Sequence, residues 1–528
     1  MVGTVKWLGV FCVAAAVVFQ MVAQETPVVR VNTRLVEVDV VVHNKGEAVV
    51  DLKQDDFTVL DNGKPQKVAS FNIISSRTNT GKSIPLPPGT VSNRLSSGSG
   101  EPAGTTVVLY DMLNTASEDQ SYGRQALVRY LDTLQYGDHF ALYSLGKALS
   151  VIQDFTDDLE RIRRAARRAS PESSADRTAD DLSEDLLASQ VSTGDAIADA
   201  MYVSSVKDMQ DMAQINRAVI TTKALEMIAR HLQGLPGRKK LVWITSSFAA
   251  QTTDMRSHNG QPTIEHKEFG REIDKAVRVL NDANVAVYPI DPQPIDAIAF
   301  MRPGIDAMNL FAGGTGGRAF YVVNDVTAAI KTAVEDSEVT YALGFYPGDI
   351  KLDGSYHSLS VKVARKGVEL RHRKGYFATD LKQPTERQSE QSLQDVFATP
   401  LEATGIGMSA LLQPYPRQAG MYRLVTTFNL QELHLEREKD NWVALITLAT
   451  YFPAAEKPNG TNESIKITLT EKRLRESLAS GYTIERLVIP GNRKGTLRLA
   501  IQDRVTGVAG SVKLPLAGAS QLNPKNGQ

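Results

Sequence analysis

The chain has 528 residues, of which 42% are hydrophobic and 23% charged, and its formal net charge is −1. That balance supports roughly two to four globular domains and excludes a global field that would steer the protein to nucleic acid or an anionic membrane. The one cysteine, Cys12, lies in an N-terminal apolar run, so disulfides, thiolate metal sites and thiol catalysis are excluded once that run is removed.

In chain order, Lys6 precedes the uncharged run LGVFCVAAAVVF (Leu8 to Phe19), and Met21-Val22-Ala23 offers a small residue for cleavage before Gln24. The run is short of the ~20 apolar residues that span a bilayer. Residues 1–23 are therefore expected to be a signal peptide, with a retained anchor as the alternative, and no later segment reads as transmembrane. An exported protein, periplasmic or secreted, follows from this.

Residues 28–75 read as a β domain: VNTRLVEVDVVVHNKGEAVVDL alternates and is rich in valine, and Asn44-Lys45-Gly46 and Asp61-Asn62-Gly63 are turn signals. Residues 76–104, dense in Ser, Gly, Pro and Thr, read as a linker. From 105 to 347 the pattern changes. TVVLY (Thr106 to Tyr110), HFALYSLG, ALSVIQDF, KLVWITSSF, VAVYPID and VTYALGFYP read as strands. Between them lie helical segments at Ser117 to Tyr136, Asp157 to Ser170, Leu182 to Gln233, Glu268 to Asn284, near Ile305 to Phe311, and Val326 to Asp336. The alternation predicts a doubly wound, mostly parallel sheet. Residues 348–378 read as a β-hairpin able to pair with the N-terminal β domain, which would make the α/β domain an insertion. Residues 379–395 read as a polar linker, 396–517 as a β-sandwich-like domain with one short helix near Lys472 to Ser480, and 518–528 as a disordered tail.

Asp111-Met112-Leu113-Asn114-Thr115 follows the first buried strand. Ligands of open α/β sheets bind at the carboxyl ends of the strands, and a carboxylate beside short hydroxyl and amide side chains suits a hard cation. Other motifs read as structural. Gly313-Gly314-Thr315-Gly316-Gly317 lacks the Lys-Ser/Thr of a phosphate loop and precedes a strand, so it reads as a helix-to-strand turn. Arg161, Arg163, Arg164, Arg167 and Arg168 are flanked by acids, Asp157, Asp158 and Glu160 before and Glu172 and Asp176 after, and read as a solvated, salt-bridged face. His258, Glu265 and His266 share a polar loop without zinc spacing. There is no Gly-x-Ser-x-Gly elbow, and Asp55-Asp56 and Asp180-Asp181 are sequence neighbours, poorly placed for acid–base work. An enzyme is not expected.

Four segments in this order, VEVDVVVHNKGEAVVDLKQDDFTVLDNGKPQKVASF, TVVLYDMLNT, ALEMIARHLQGLPGRKKLVWITSSF and LFAGGTGGRAFYVVNDVTAAI…DSEVTYALGFYP, resemble a von Willebrand factor type A (VWA) domain, in particular the acidobacterial VWA-related exported family, over roughly residues 30–380. The resemblance implies an α/β fold, a VWA-type doubly wound sheet flanked by the N-terminal β unit and the C-terminal β-sandwich-like domain. It also implies a metal-ion-dependent adhesion site. Of that site's Asp-x-Ser-x-Ser motif, Asp111 matches the aspartate, Leu113 replaces the first serine, and Thr115 stands in for the second, with Asn114 on a free position. The site's threonine falls on Thr222, in TTKALEMI, or on Thr193, in STGDA, and Thr245-Ser246-Ser247 stands where the last aspartate belongs.

The implied site is degenerate: Asp111, Thr115 and Thr222 would hold Mg²⁺ or another divalent cation weakly, because neutral oxygens offset little of its dehydration cost. In the alternative, Asp111 and Thr115 only cap the following helix, a contribution of ~1 kcal/mol. A metal-free ligand surface at the same loops lies between these two. The function expected is binding of a protein or cell-surface ligand by the domain's top face through Asp111, Asn114, Thr115, Ser246 and Ser247, without nucleic acid. The other expectation is a structural scaffold of a cell-envelope assembly.

Overall fold

The structure, a computed structural model, describes residues 35–75, 86–94, 104–134, 139–169, 195–246, 251–258, 261–268, 270–295, 304–336, 339–348, 353–379, 384–418, 420–452, 459–490 and 495–516. The expected signal peptide (residues 1–23) and the expected tail (518–528) lie outside these residues. Among them no helix is long and apolar enough to cross a membrane.

The central sheet has five strands in the order Val285–Ile290, Lys239–Ile244, Thr105–Asp111, His139–Leu145, Leu149–Thr156. The first four are parallel and the last is antiparallel. Every residue of Thr105–Asp111, Lys239–Ile244 and Val285–Ile290 is buried, which is why these segments read as apolar runs without a period of two. Alternate side chains feed two cores. Val107, Leu109, Leu241 and Trp243 pack against helices Ala196–Leu232, Gly270–Asp282 and Ile305–Thr315. Val108, Tyr110, Val242 and Ile244 pack against helices Ser117–Thr133, Leu159–Arg168 and Val326–Glu335. The result is a three-layer, doubly wound α/β domain.

Val339–Phe345 does not close this sheet, as expected of VTYALGFYP. It pairs antiparallel with Val36–Asn44 and Val68–Ser75, so the α/β domain ends before residue 339 and the boundary expected at 347 is corrected. An apolar strand carries no mark of which sheet will bury it. Asp353–Val363 pairs with Phe57–Asp61 and with Gly375–Thr379. The α/β domain is thus inserted between two halves of one β unit, whose core includes Val38, Val40, Phe57, Tyr341 and Val361.

Three loop assignments are also corrected. Thr90–Ser92, in the expected linker 76–104, is an edge strand on Met408–Pro414. The expected linker 379–395 holds most of helix Glu386–Ala398, opened by a Thr385/Gln388 capping box. Its apolar pattern is thin, with only Leu393 and Val396 buried, but the box itself is a start signal. The polar loop with His258 and His266 is a two-stranded ribbon, Gln251–His258 on Gln261–Glu268. His266 lies opposite Thr253, five residues from His258, about 17 Å along a strand, too far for one ion.

The C-terminal domain is a β-sandwich. One sheet orders Tyr482–Val488, Tyr422–Phe428, Met408–Pro414 and Thr90–Ser92; the other is built on Asn441–Phe452, Gly495–Asp503 and Ala509–Leu516. Their inner faces share one core, and the short helix is Glu471–Ser480. The sandwich is seated against the α/β domain. Arg94 donates to Gly234 O and pairs with Glu432, and Gly234 N donates to Thr404 Oγ1 at 3.0 Å. A Cβ on Gly234 would stand 1.7 Å from Thr404 O, so only glycine lets the two backbones meet.

Candidate functional site

The end of the central strand carries the candidate site. Asp111 is 1% exposed, and its carboxylate accepts five hydrogen bonds. Oδ1 accepts from Leu113 N at 3.1 Å and Asn114 N at 3.0 Å, the Asx-type turn that short acids form locally. Oδ2 accepts from Asn114 Nδ2 at 2.8 Å, Trp243 Nε1 at 2.9 Å and Thr245 Oγ1 at 2.9 Å. Burial pushes the Asp111 carboxyl above its ordinary range, opposed by the hydrogen bonds from Asn114, Trp243 and Thr245. The loop is pinned from its other side. Gln120 Nε2 donates to Thr115 O at 2.8 Å and Met112 O at 3.2 Å, and Tyr110 OH donates to Gln120 O at 2.6 Å.

The expected residues fall out unevenly. Asp111, Asn114, Thr115 and Ser246 come together, and all are buried. Thr115 Oγ1 accepts from Ser246 N at 3.2 Å. Direct contact of these four with a ligand is therefore corrected: their polar groups are turned inward, beneath the rim. Thr222 is not at the site. Its hydroxyl donates back to Ala218 O at 2.9 Å within its own helix. Its neighbour Thr221 faces the site and accepts from Asn114 Nδ2 at 2.8 Å. The two differ by one helical step, about 100°. The capping alternative is corrected too, since Ala116 is the N-cap of helix Ser117–Thr133 and no side chain caps it. Ser247 and Thr193 lie outside the described residues.

The donor set does not fit a resident divalent cation. Both oxygens of the one carboxylate are covered by N–H and O–H hydrogens, and the Asn114 amide nitrogen stands between Asp111 Oδ2 and Thr221 Oγ1. A cation needs oxygen lone pairs aimed at it; here hydrogens are aimed at the oxygens.

Sequence reasoning missed Trp243, Thr221 and Gln120. Trp243 carried a usable signal: it is the indole of KLVWIT, and a buried indole N–H requires an acceptor. Thr221 and Gln120 carried none, because only the fold brings their helices to the loop.

Above the site, helix Ala196–Leu232 has 37 residues. It feeds the amino end of Lys239–Ile244, so it runs antiparallel to the sheet, and Thr221 marks the level of the carboxyl rim. The residues before Thr221 continue past that rim, about 37 Å of helix. This spur exposes Ile197 (74%), Met201 (68%) and Met212 (61%), together with Val219. These four fall within about 60° of one face. The ribbon Gln251–Glu268 follows the carboxyl end of the neighbouring strand and packs beside this helix.

No family model matches the chain, and no curated protein matches it. Among solved structures it is similar to an aerotolerance-related membrane protein from Bacteroides fragilis, at 13% identity over 44% of this chain and 99% of that one, with a TM-score of 0.26. It is also similar to BatB from Bacteroides thetaiotaomicron, at 12% identity over 44% and 98%, TM-score 0.26. A von Willebrand factor type A protein from Catenulispora acidiphila matches at 9% identity over 88% of this chain and 74% of that one, TM-score 0.25. Scores this low assign the chain to no family.

Proposed function

We propose that the chain is an exported, non-enzymatic binding protein with a VWA-type domain that presents the carboxyl rim of its sheet to a protein partner. The observation that carries this is the helical spur. A helix whose apolar face is bare is stable only with a covering partner or with strong support at its base. Ile197 and Met201 form one apolar patch and Met212 and Val219 another on the same helix face, with Ser205 and Asp208 between them, and methionine adapts its shape to what it touches. Asp195, Asp199, Asp208 and Asp211 against Lys207 and the buried Arg217 make the same stretch acidic. The partner that fits is a protein segment with an apolar stripe flanked by basic side chains. Asp111, Asn114 and Thr115 support that rim from below.

The double substitution Met201→Asp, Met212→Asp tests this. It should cut partner capture from an envelope extract at least tenfold, about 1.4 kcal/mol, while shifting Tm by under about 1 °C, because both side chains are exposed. Equal capture by variant and wild type sinks the rim as the docking face. It would favour the second reading, a scaffold, which is supported by the insertion of the α/β domain into one β unit and its clamping to the sandwich through Arg94. Export has its own check. The mature protein should begin at Gln24 by N-terminal sequencing; an intact Met1 on the exported chain means a retained anchor.

A further inference from the structure

We propose that the side-chain amide of Asn114 takes the place of a cation at the rim, so that the site is assembled permanently and without metal. The nitrogen lies 2.8 Å from Asp111 Oδ2 and 2.8 Å from Thr221 Oγ1. An amide nitrogen has two hydrogens, and the two contacts use one each. They join the strand-end carboxylate to the long helix, the link that a cation between the same two oxygens would make. The amide brings partial positive charge and leaves no hydration shell of an ion to be stripped. Two of the other motif positions are taken up, while the Ser246 hydroxyl is buried with no hydrogen-bond partner among the described residues. Leu113 lies in the apolar core, and Thr115 Oγ1 is committed to Ser246 N. Backbone N–H groups of residues 113 and 114 and the Trp243 indole cover what is left of the carboxylate.

The consequence is a rim whose geometry does not respond to divalent ions or chelators. This concerns the site's assembly alone and stands or falls separately from the partner reading. The test is calorimetric unfolding of the full chain in excess EDTA, then in roughly millimolar Mg²⁺, Ca²⁺ or Mn²⁺. Wild type should keep its Tm within about 1 °C across these conditions. Asn114→Ala should lower Tm by about 3–8 °C, and cations should not restore it. A saturable rise of the wild-type Tm with cation, lost in Asp111→Asn, overturns the proposal. So does an Asn114→Ala variant as stable as wild type.

Discussion

Asp111→Ala is expected to destabilise the protein by about 3–5 kcal/mol, because a buried hydrogen-bond network loses its central acceptor. The carboxylate serves Leu113 N, Asn114 N, Asn114 Nδ2, Trp243 Nε1 and Thr245 Oγ1, from two strand ends and the loop between them. Each buried donor left without an acceptor costs about 1–3 kcal/mol, and water entering the vacated space recovers part of that. Tm should fall by roughly 6–20 °C at 2–4 °C per kcal/mol. Asp111→Asn keeps one carbonyl oxygen but turns an NH₂ toward donors, so its loss should be about half as large. Urea unfolding with an unchanged m-value is the measurement. A loss below about 1 kcal/mol for Asp111→Ala would show that the network is not what holds the rim.

Glu402→Gln should stabilise the protein at alkaline pH and leave it unchanged near pH 4. Glu402 lies at the seam between the α/β domain and the sandwich. Its carboxyl is pushed up to about 7, chiefly by burial and further by Asp154, while Lys513 and Arg498 pull the other way. Its Oε1 accepts from Lys513 N at 2.9 Å, and its carbonyl meets His231 Nδ1 at 2.5 Å. The sign follows from proton uptake. Between its ordinary 4.5 and about 7 the folded protein binds more proton than the unfolded chain. Stability from this group is therefore full below 4.5, is lost as pH rises through that window, and stays lost above it. The loss is on the order of 2–3 kcal/mol.

Glutamine keeps the acceptor for Lys513 N and does not ionise, so it removes the loss. His231 acts in the opposite sense. Burial lowers its pKa, against the pull of Asp154 at 3.8 Å. Stability is lost as pH falls below the ordinary value of 6.5. Comparing the variant with wild type at each pH largely cancels that contribution. Parallel stability curves for the two proteins from pH 4 to 8 would mean that Glu402 is not held protonated at the seam.

Much of the fold was legible in the chain. TVVLY, KLVWI and VAVYPI announced strands buried on both faces, because no alternation survives where both sides are apolar. The inward turn of the helices followed from spacings such as Leu127, Tyr130, Leu131 and Leu134. The position of Asp111 at a strand's carboxyl end followed from TVVLYD alone. What went unread has a common cause. The strand Val339–Phe345 looks the same whether it closes the α/β sheet or the β unit. Helix Glu386–Ala398 buries too few apolar residues to show a period. Thr221 and Thr222 are equivalent in composition and differ only in the direction each faces.

By itself the sequence determined the buried strands and amphipathic helices of the doubly wound centre and the strand end at which a buried carboxylate would stand, since these depend on local periodicity and on which side chains water rejects. Only the tertiary structure decided what that carboxylate meets. Trp243 and Thr245, 132 and 134 positions away, close on Asp111 with hydrogens, and Thr221, 107 positions from Asn114, accepts from its amide, while the long helix leaves its apolar patches outside. Both outcomes depend on the distances and directions between elements, which no stretch of chain encodes alone.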